Sequence, residues 1–302
     1  MSGPRSVVVA TRRSPLALAQ TRAVVAELAA RHPAVTFTEL GVTTTGDRVQ
    51  DRALAEIGGK GLFVKEIEQA LLDGAARLAV HSAKDVPSEL APGLTIAAYA
   101  RRADPRDAWV SRTGVSLRDL RGGSRVGTAS LRRARQLALV RPDLEFVPLR
   151  GNVETRLAKC ARGEVDAVVL AAAGLHRLGL GGRVVERIDP ELCLPAVGQG
   201  ALALEVRASD EEARALVAAV ADPETLIAVT AERGVMAAAG GSCQVPLAAH
   251  AVRDGADLLL RGFLADPEGR WSRRRTARGP WPSEVAAADA LGRALGAALL
   301  VT

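Results

Sequence analysis

Aromatic side chains are scarce in this 302-residue sequence: four Phe, three Trp and one Tyr make up 3% of it. A surface that stacks successive nucleic-acid bases on aromatic rings is therefore not expected. Lysine is rarer than usual too. Lys60, Lys65, Lys84 and Lys159 are the four present among 40 cationic side chains, so 36 are arginine. The three cysteines, Cys160, Cys193 and Cys243, are an odd set without metal-ligand spacing. They point to a reduced, cytoplasmic compartment. No apolar run reaches membrane-spanning length. The apolar stretch Val7–Ala10 is too short for a secretory core and leads straight into periodic structure.

The chain is 48% hydrophobic and 25% charged, the balance of a globular protein rather than a disordered one. Its length allows two or three domains. With so few rings, the core must be built from Ala, Val and Leu. The net charge of +6 leaves a nucleic-acid binder open as a class. No uninterrupted basic helix, zinc-finger spacing or aromatic RNA-binding signature supports it. GC-rich codon usage accounts for the number of arginines but not for their placement, and arginine is the side chain that best grips planar carboxylates.

Short β-branched runs alternate with helical patterns from the start. Strands are expected at Val7–Ala10, Val35–Val42, Leu78–His81 and Leu94–Tyr99, with helices from Pro15 to about Arg31 and over Leu62–Leu72. Ser14-Pro15 reads as an N-cap followed by proline at the first helical position. The polar stretch 101–107 marks a crossover. A second α/β set follows, with strands near Ala108–Ser111, Arg125–Gly127, Leu144–Leu149 and Asp166–Leu170 and helices at Leu131–Val140, Val153–Arg162 and Ala171–Arg177. Leu194–Gly200 is a second crossing, after which strand Ala201–Val206 returns to the first domain and a helix covers Asp210–Val220. A smaller domain then has a helix at Glu224–Ala238, strands at Leu247–Val252 and Asp257–Leu264, a charged connection at Arg270–Arg278 and a helix from about Ser283.

The fold class expected is α/β with largely parallel sheets. Domain 1 takes residues 1–101 and 201–220, domain 2 takes 106–194, and an α+β domain 3 takes 223–302. Two crossings between α/β halves make a hinge and a cleft, and strand C-terminal ends that face helix N-termini suit anions.

Several turns carry the chemistry. Thr11-Arg12-Arg13-Ser14 is either an ordinary capped helix or a small anion site. Gly127-Thr128-Ala129-Ser130-Leu131-Arg132-Arg133 repeats the design, with Gly127 read as allowing a ligand to approach the backbone. Arg150 sits at a strand end, Arg156 in the helix that follows, and Arg177 after the next strand. Lys84-Asp85 directly follows a strand, and is either a surface ion pair or a carboxylate in a cationic cleft that exchanges protons with an amine. Lys60 and Phe63 close a long polar segment that reads as a lid, without the spacing of a phosphate-binding P-loop. Cys160 and Cys193 read as buried small hydrophobes. Cys243 differs, because the glycines and proline of Gly240–Pro246 shape an irregular loop that suits an accessible thiol.

Taken in order, ATRRSPLALAQ, the TTTGD to GGKGLFVKEIE stretch, VHSAKDVP, GTASLRRARQL, LRGNVETRL, AAAGLHRLGL, LPAVGQGALALE and CQVPLAAH resemble the porphobilinogen deaminase family, from about Val7 to Leu264. The resemblance implies two domains like those of periplasmic binding proteins plus a small third one. It implies a dipyrromethane cofactor in thioether linkage to Cys243, to which four porphobilinogen units are added with loss of ammonia before water releases hydroxymethylbilane. Asp85 matches the family's essential aspartate. The resemblance assigns Lys84, Asp85, Thr128, Ser130, Arg132, Arg133, Arg150 and Arg156 to the cofactor. It assigns Arg12, Ser14, Phe63, Arg150, Arg156, Arg177 and Gln199 to the substrate, with Gln199 at the second crossing and Lys60 in the lid. It further implies a cytoplasmic monomer that acts on a small molecule, with no metal, nucleic acid or membrane partner. Ser242, where glycine is frequent, and Ala129, where serine is common, are mild departures. A hinged binding module without chemistry is the rival class, and it gives no reason for the Cys243 loop.

Overall fold

A computed structural model describes residues 5–48, 63–240 and 245–301. Along the chain the first elements are β1 (Arg5–Arg12), α1 (Pro15–Arg31), β2 (Val35–Val42), α2 (Thr45–Arg48), α3 (Lys65–Leu72), β3 (Leu78–Ser82) and β4 (Leu94–Ala100). Next come β5 (Asp107–Ser111), β6 (Arg125–Gly127), α4 (Leu131–Val140), β7 (Glu145–Val147), α5 (Val153–Ala161), β8 (Ala167–Ala171), α6 (Ala172–Arg177) and β9 (Glu186–Arg187). The chain ends through β10 (Leu202–Arg207), α7 (Glu211–Ala218), α8 (Pro223–Ala238), β11 (Leu247–Asp254), β12 (Asp257–Ala265), β13 (Ser272–Pro280) and α9 (Val285–Leu300).

The helices begin where a short polar side chain can cap them. Ser14 accepts from Ala17 N, Ser130 from Arg133 N, Asn152 from Thr155 N and Asp210 from Ala213 N. Each cap satisfies one of the amide groups that a helix start leaves without an internal partner.

Two compact units emerge. Among the described residues, one holds the chain up to residue 103 together with Ala201–Leu226, and the other holds Asp104–Gly200 and everything from Ile227 on. The first contains a five-stranded sheet of order β2-β1-β3-β10-β4. β1 runs parallel to β2 and β3, while β10 is antiparallel to both its neighbours. One face buries Val9, Leu28, Leu78, Leu204 and Val217, and the other buries Ala10, Ile67, Leu71 and Ala79. A fully buried Leu or Val contributes roughly 1.5–3 kcal/mol, so two apolar faces make this sheet a rigid base.

In the second unit the order β7-β6-β8-β5-β9 repeats the plan. β6 is parallel to β7 and β8, and β5 is the reversed strand. Leu157, Val168, Leu170 and Leu175 fill one side and Trp109, Leu137, Val169 and Ile188 the other. The sheets are thus mostly parallel as expected, each with a single reversed strand placed fourth. A separate antiparallel sheet, β11-β12-β13, buries Leu247, Leu258, Leu260 and Leu264 against α8 and α9.

One expectation is corrected. The sequence reads as a charged connection over Arg270–Arg278, yet Ser272–Pro280 forms β13, paired with β12 over nine positions from Asp257 to Ala265. β13 lies at a sheet edge, where charged side chains are tolerated and the alternating hydrophobic signature of a strand is lost.

Candidate active site

In both units the informative turns leave the C-terminal ends of adjacent parallel strands, the position where α/β sheets bind ligands. In the first unit, β1 ends at Arg12 and β3 at Ser82. Ser14 caps α1 through a 3.3 Å bond from Ala17 N, and Pro15 occupies the first turn. After β3 the chain makes a single 3-10 turn over Ala83–Asp85. That turn is pinned on one side by Ala83 N donating to Ala201 O at 3.0 Å. On the other, Ser82 and Gln20 exchange hydrogen bonds of 2.9 and 3.1 Å. Beneath it, His81 Nε2 meets Glu205 Oε2 at 2.9 Å, with both side chains buried.

Arg12, Gln20, Phe63, His81, Ser82 and Asp85 line a solvent-open hollow of about 280 Å³. The structure therefore brings together Arg12, Phe63 and Asp85 from three separate segments. Lys84 and Asp85 are both half-buried. Arg12 is not a bare cation, because its guanidinium forks onto Asp47 and lies 4.3 Å from the centre of the Phe63 ring.

In the second unit, β6 ends in Gly127 and the Thr128–Ser130 turn. Thr128 Oγ1 accepts from Ser130 N at 3.2 Å, and Ser130 then caps α4. Gly127 has a different purpose from the one expected. A Cβ there would lie 2.6 Å from Leu149 Cδ2, so the glycine allows the Leu149 side chain, not a ligand, to approach.

Arg132 and Arg133, expected among the cofactor's ligands, are each only 5% exposed and are paired inside the protein. Arg132 Nη1 reaches Asp107 Oδ2 at 2.7 Å and Leu194 O at 2.6 Å. Arg133 Nε reaches Asp107 Oδ1 at 2.9 Å, and Nη1 reaches Val169 O at 3.1 Å. Gln199 joins the same centre, donating to Asp107 Oδ1 at 2.9 Å and to Pro105 O at 2.7 Å. The reason is electrostatic: a charge removed from water needs a partner of opposite sign and filled hydrogen bonds. Burial would push the Asp107 carboxyl up, but the two guanidiniums outweigh it and hold it far below the usual carboxylate range. Two cations on one anion also leave this cluster net positive at the start of α4. Cys193 Sγ lies 3.5 Å from Asp107. Burial, with that carboxylate beside it, pushes the thiol up to about 12. Cys193 and Cys160 are both buried and free, as expected.

The remaining arginines behave differently. Arg150 Nη1 is buried and has no hydrogen-bond partner among the described residues. Arg156 in α5 donates from Nε to Gly151 O at 2.8 Å. Arg177, at the end of α6, donates to Gly200 O at 2.7 Å, and burial lowers it to about 10. Among the described residues no carboxylate lies within ion-pair distance of Arg150 or Arg177. Such groups are costly in an isolated protein and are relieved by an incoming anion. The strand order β7-β6-β8 sets the turns that carry Arg150 and Thr128 side by side, and α6, which ends at Arg177, follows directly from β8. Cys243 and Lys60 lie outside the described residues.

Sequence reasoning missed Asp107 and Asp47, the carboxylates on which three of the expected site arginines rest. The signal for Asp107 was a charged residue opening the apolar run Asp107-Ala108-Trp109-Val110. Asp107→Asn should lower stability by about 3–5 kcal/mol, since it removes the anion from a buried ion cluster, as measured by urea unfolding at pH 7. The folded-state pKa of Asp107 is depressed, so its contribution is complete above the unfolded value of about 3.9 and fades as pH falls below it. The variant should lack that component of acid sensitivity. Equal stabilities at pH 7 would contradict this account.

The chain is similar to known proteins over nearly its whole length. The family model described as porphobilinogen deaminase, dipyrromethane cofactor binding domain, matches residues 7–215, and the one described as porphobilinogen deaminase, C-terminal domain, matches residues 226–301. The chain is 55% identical over 296 residues to the porphobilinogen deaminase of Sorangium cellulosum, covering 98% of this chain and 99% of that protein. It is 51% identical over 298 residues to that of a Roseiflexus species, covering 96% and 98%. A solved structure, the VFT2 domain of Bordetella pertussis BvgS, matches with a TM-score of 0.41 at 19% identity, covering 72% of this chain and 85% of that one.

Proposed function

Because the chain belongs to the porphobilinogen deaminase family, we propose that its half-buried arginines that have no carboxylate partner among the described residues receive the acid groups of pyrroles, and that Asp85 manages the protons. The enzyme is a transferase that joins four porphobilinogen molecules head to tail, loses ammonia at each addition and releases hydroxymethylbilane by hydrolysis. Its cofactor is dipyrromethane, which when bound supplies the nucleophilic pyrrole carbon at which the chain grows.

The residues present fit that group. Each pyrrole carries an acetate and a propionate, and the protein offers the unpartnered Arg150 Nη1, the desolvated Arg177 and a net positive cluster under Thr128 and Ser130. On this reading Lys84, Thr128, Ser130, Arg150 and Arg156 hold cofactor acids, with Asp85 accepting from pyrrole N–H groups. Arg132 and Arg133, held at the start of α4 by Asp107, belong to the same cofactor set. Arg12, Ser14, Arg150, Arg156 and Arg177 hold substrate acids, Phe63 covers a ring, and Gln199 fixes the second crossing through Asp107. Asp85 stabilises positive charge as ammonia leaves and takes the proton lost from the attacking pyrrole α-carbon. Cys243 carries the thioether and Lys60 belongs to the lid. Arginine is suited to this work because it stays charged and binds carboxylates in a planar fork.

We extend the reading to a cytoplasmic monomer of three domains: residues 1–101 with 201–220, then 106–194, then 223–302. No helix among the described residues is long and apolar enough to cross a membrane.

The observation that carries this reading is the pair of half-buried guanidiniums, Arg150 and Arg177, which have no carboxylate within ion-pair distance among the described residues. Intact-protein mass spectrometry tests it. The purified protein should carry a surplus of two pyrrole rings on the Cys243 peptide, and Cys243→Ser should lose it. A surplus that persists in the serine variant would remove Cys243 from its role. Asp85→Asn should keep its fold while turnover falls by about 10²-fold or more, the scale of a lost general acid–base group. Turnover at the wild-type rate would exclude Asp85 from the mechanism.

A further inference from the structure

Asp47 is absorbed by none of the roles above, yet it sits on one of the cations expected to bind substrate. Its carboxylate takes Arg12 Nε on Oδ2 at 3.3 Å and Arg12 Nη2 on Oδ1 at 2.5 Å. That is the two-pronged geometry in which a guanidinium binds a free carboxylate. The Phe63 ring covers a face of the same guanidinium.

The carboxylate is held from its own side as well. Thr44 N and Thr44 Oγ1 donate to Asp47 Oδ2 at 3.2 and 2.7 Å, in the manner of a capping box at the start of α2. A Cβ on Gly46 would lie 2.2 Å from Phe63 Cε1, so α2 presses directly on that ring. Burial works against the charge on Asp47, but the Arg12 and Thr44 hydrogen bonds outweigh it and hold the carboxyl below its usual range.

The contrast with Asp107 is informative. Asp107 is wholly inaccessible, whereas the Asp47 and Arg12 side chains are each 22% exposed, and Arg12 lines the hollow that contains Asp85. A partly exposed pair of this kind is weak enough to exchange partners.

We propose that Asp47 is the resting counter-ion of Arg12, an internal carboxylate that an acid group of the incoming pyrrole must replace. Asp47 then limits the affinity of the hollow for pyrrole acids and keeps Arg12 oriented between turnovers. It acts through Arg12 and is a positioning residue for the reaction. The proposal rests on the reading that Arg12 takes a substrate carboxylate.

The test is calorimetric binding, to the cofactor-loaded enzyme, of the pyrrole acetate-propionate that lacks the aminomethyl group and so cannot react. Asp47→Asn keeps the side-chain shape and an acceptor for Thr44 but removes the charge that competes for Arg12. It should tighten binding by about two- to five-fold, the range that exchange of one partly exposed ion pair supports. Thr44→Val removes the cap hydroxyl but leaves the carboxylate, and should not tighten binding. In an Arg12→Ala background, which should itself bind more weakly, Asp47→Asn should produce no gain.

Weaker or unchanged binding in D47N would overturn the proposal; the unchanged case would mean that the acid takes the other edge of Arg12. A gain that survives in R12A/D47N would overturn it too. If R12A alone bound normally, the reading of Arg12 as a substrate ligand would fall instead. A loss in R12A with no gain in D47N would sink only the role of Asp47.

Discussion

A carboxylate sealed between two guanidiniums, Asp107 with Arg132 and Arg133, is the contact on which the second unit depends. It joins the first residue of β5 to the first turn of α4, and through Gln199 it reaches the second chain crossing. None of these groups is stable in the interior alone. Breaking a buried ion pair leaves an uncompensated charge, which costs more than the pair contributes. The cluster therefore locks the Thr128–Ser130 turn in place. On the proposed reading, its net positive charge lies beside the turn that holds cofactor acids.

The basic side chains of the proposed site fall into two physical groups. Arg132 and Arg133 are neutralised inside the protein and form framework. Arg150 and Arg177 are desolvated without a carboxylate partner among the described residues, an arrangement that is unfavourable until an anion arrives. Arg12 is intermediate, held by an exchangeable internal anion. An enzyme that admits more acid groups with every turn of its cycle needs both kinds: rigid cations to shape the walls and unneutralised ones to receive the growing chain. Functional sites commonly retain groups that do not favour folding.

Local signals in the sequence carried local structure well. Ser14-Pro15 and Ser130 mark helix starts because a cap is decided within four residues, and β6 and α4 fall at the expected bounds. The turns after β1, β3, β6 and β8 were legible for the same reason. Non-local partners were not. The partner of Arg132 and Arg133 lies 25 and 26 residues away, and nothing near GTASLRR says that its arginines turn inward. Gly127 looked like a ligand-approach glycine because the side chain that fills its missing Cβ comes from the next strand's end. β13 was hidden because an edge strand rich in arginine has no hydrophobic alternation. The family was visible from the order of many weak motifs, each of which had an ordinary structural explanation alone.

The division of the arginines is tested most directly by urea unfolding in a Cys243→Ser background, where every variant has the same cofactor state. Arg132→Gln or Arg133→Gln should cost about 3 kcal/mol, because each strips a partner from buried Asp107. Arg150→Gln and Arg177→Gln should leave stability unchanged or raise it, because each removes a desolvated cation that no carboxylate among the described residues balances. Losses of equal size in all four variants would contradict the account, since Arg150 and Arg177 would then be framework rather than cations reserved for the acids of the ligand.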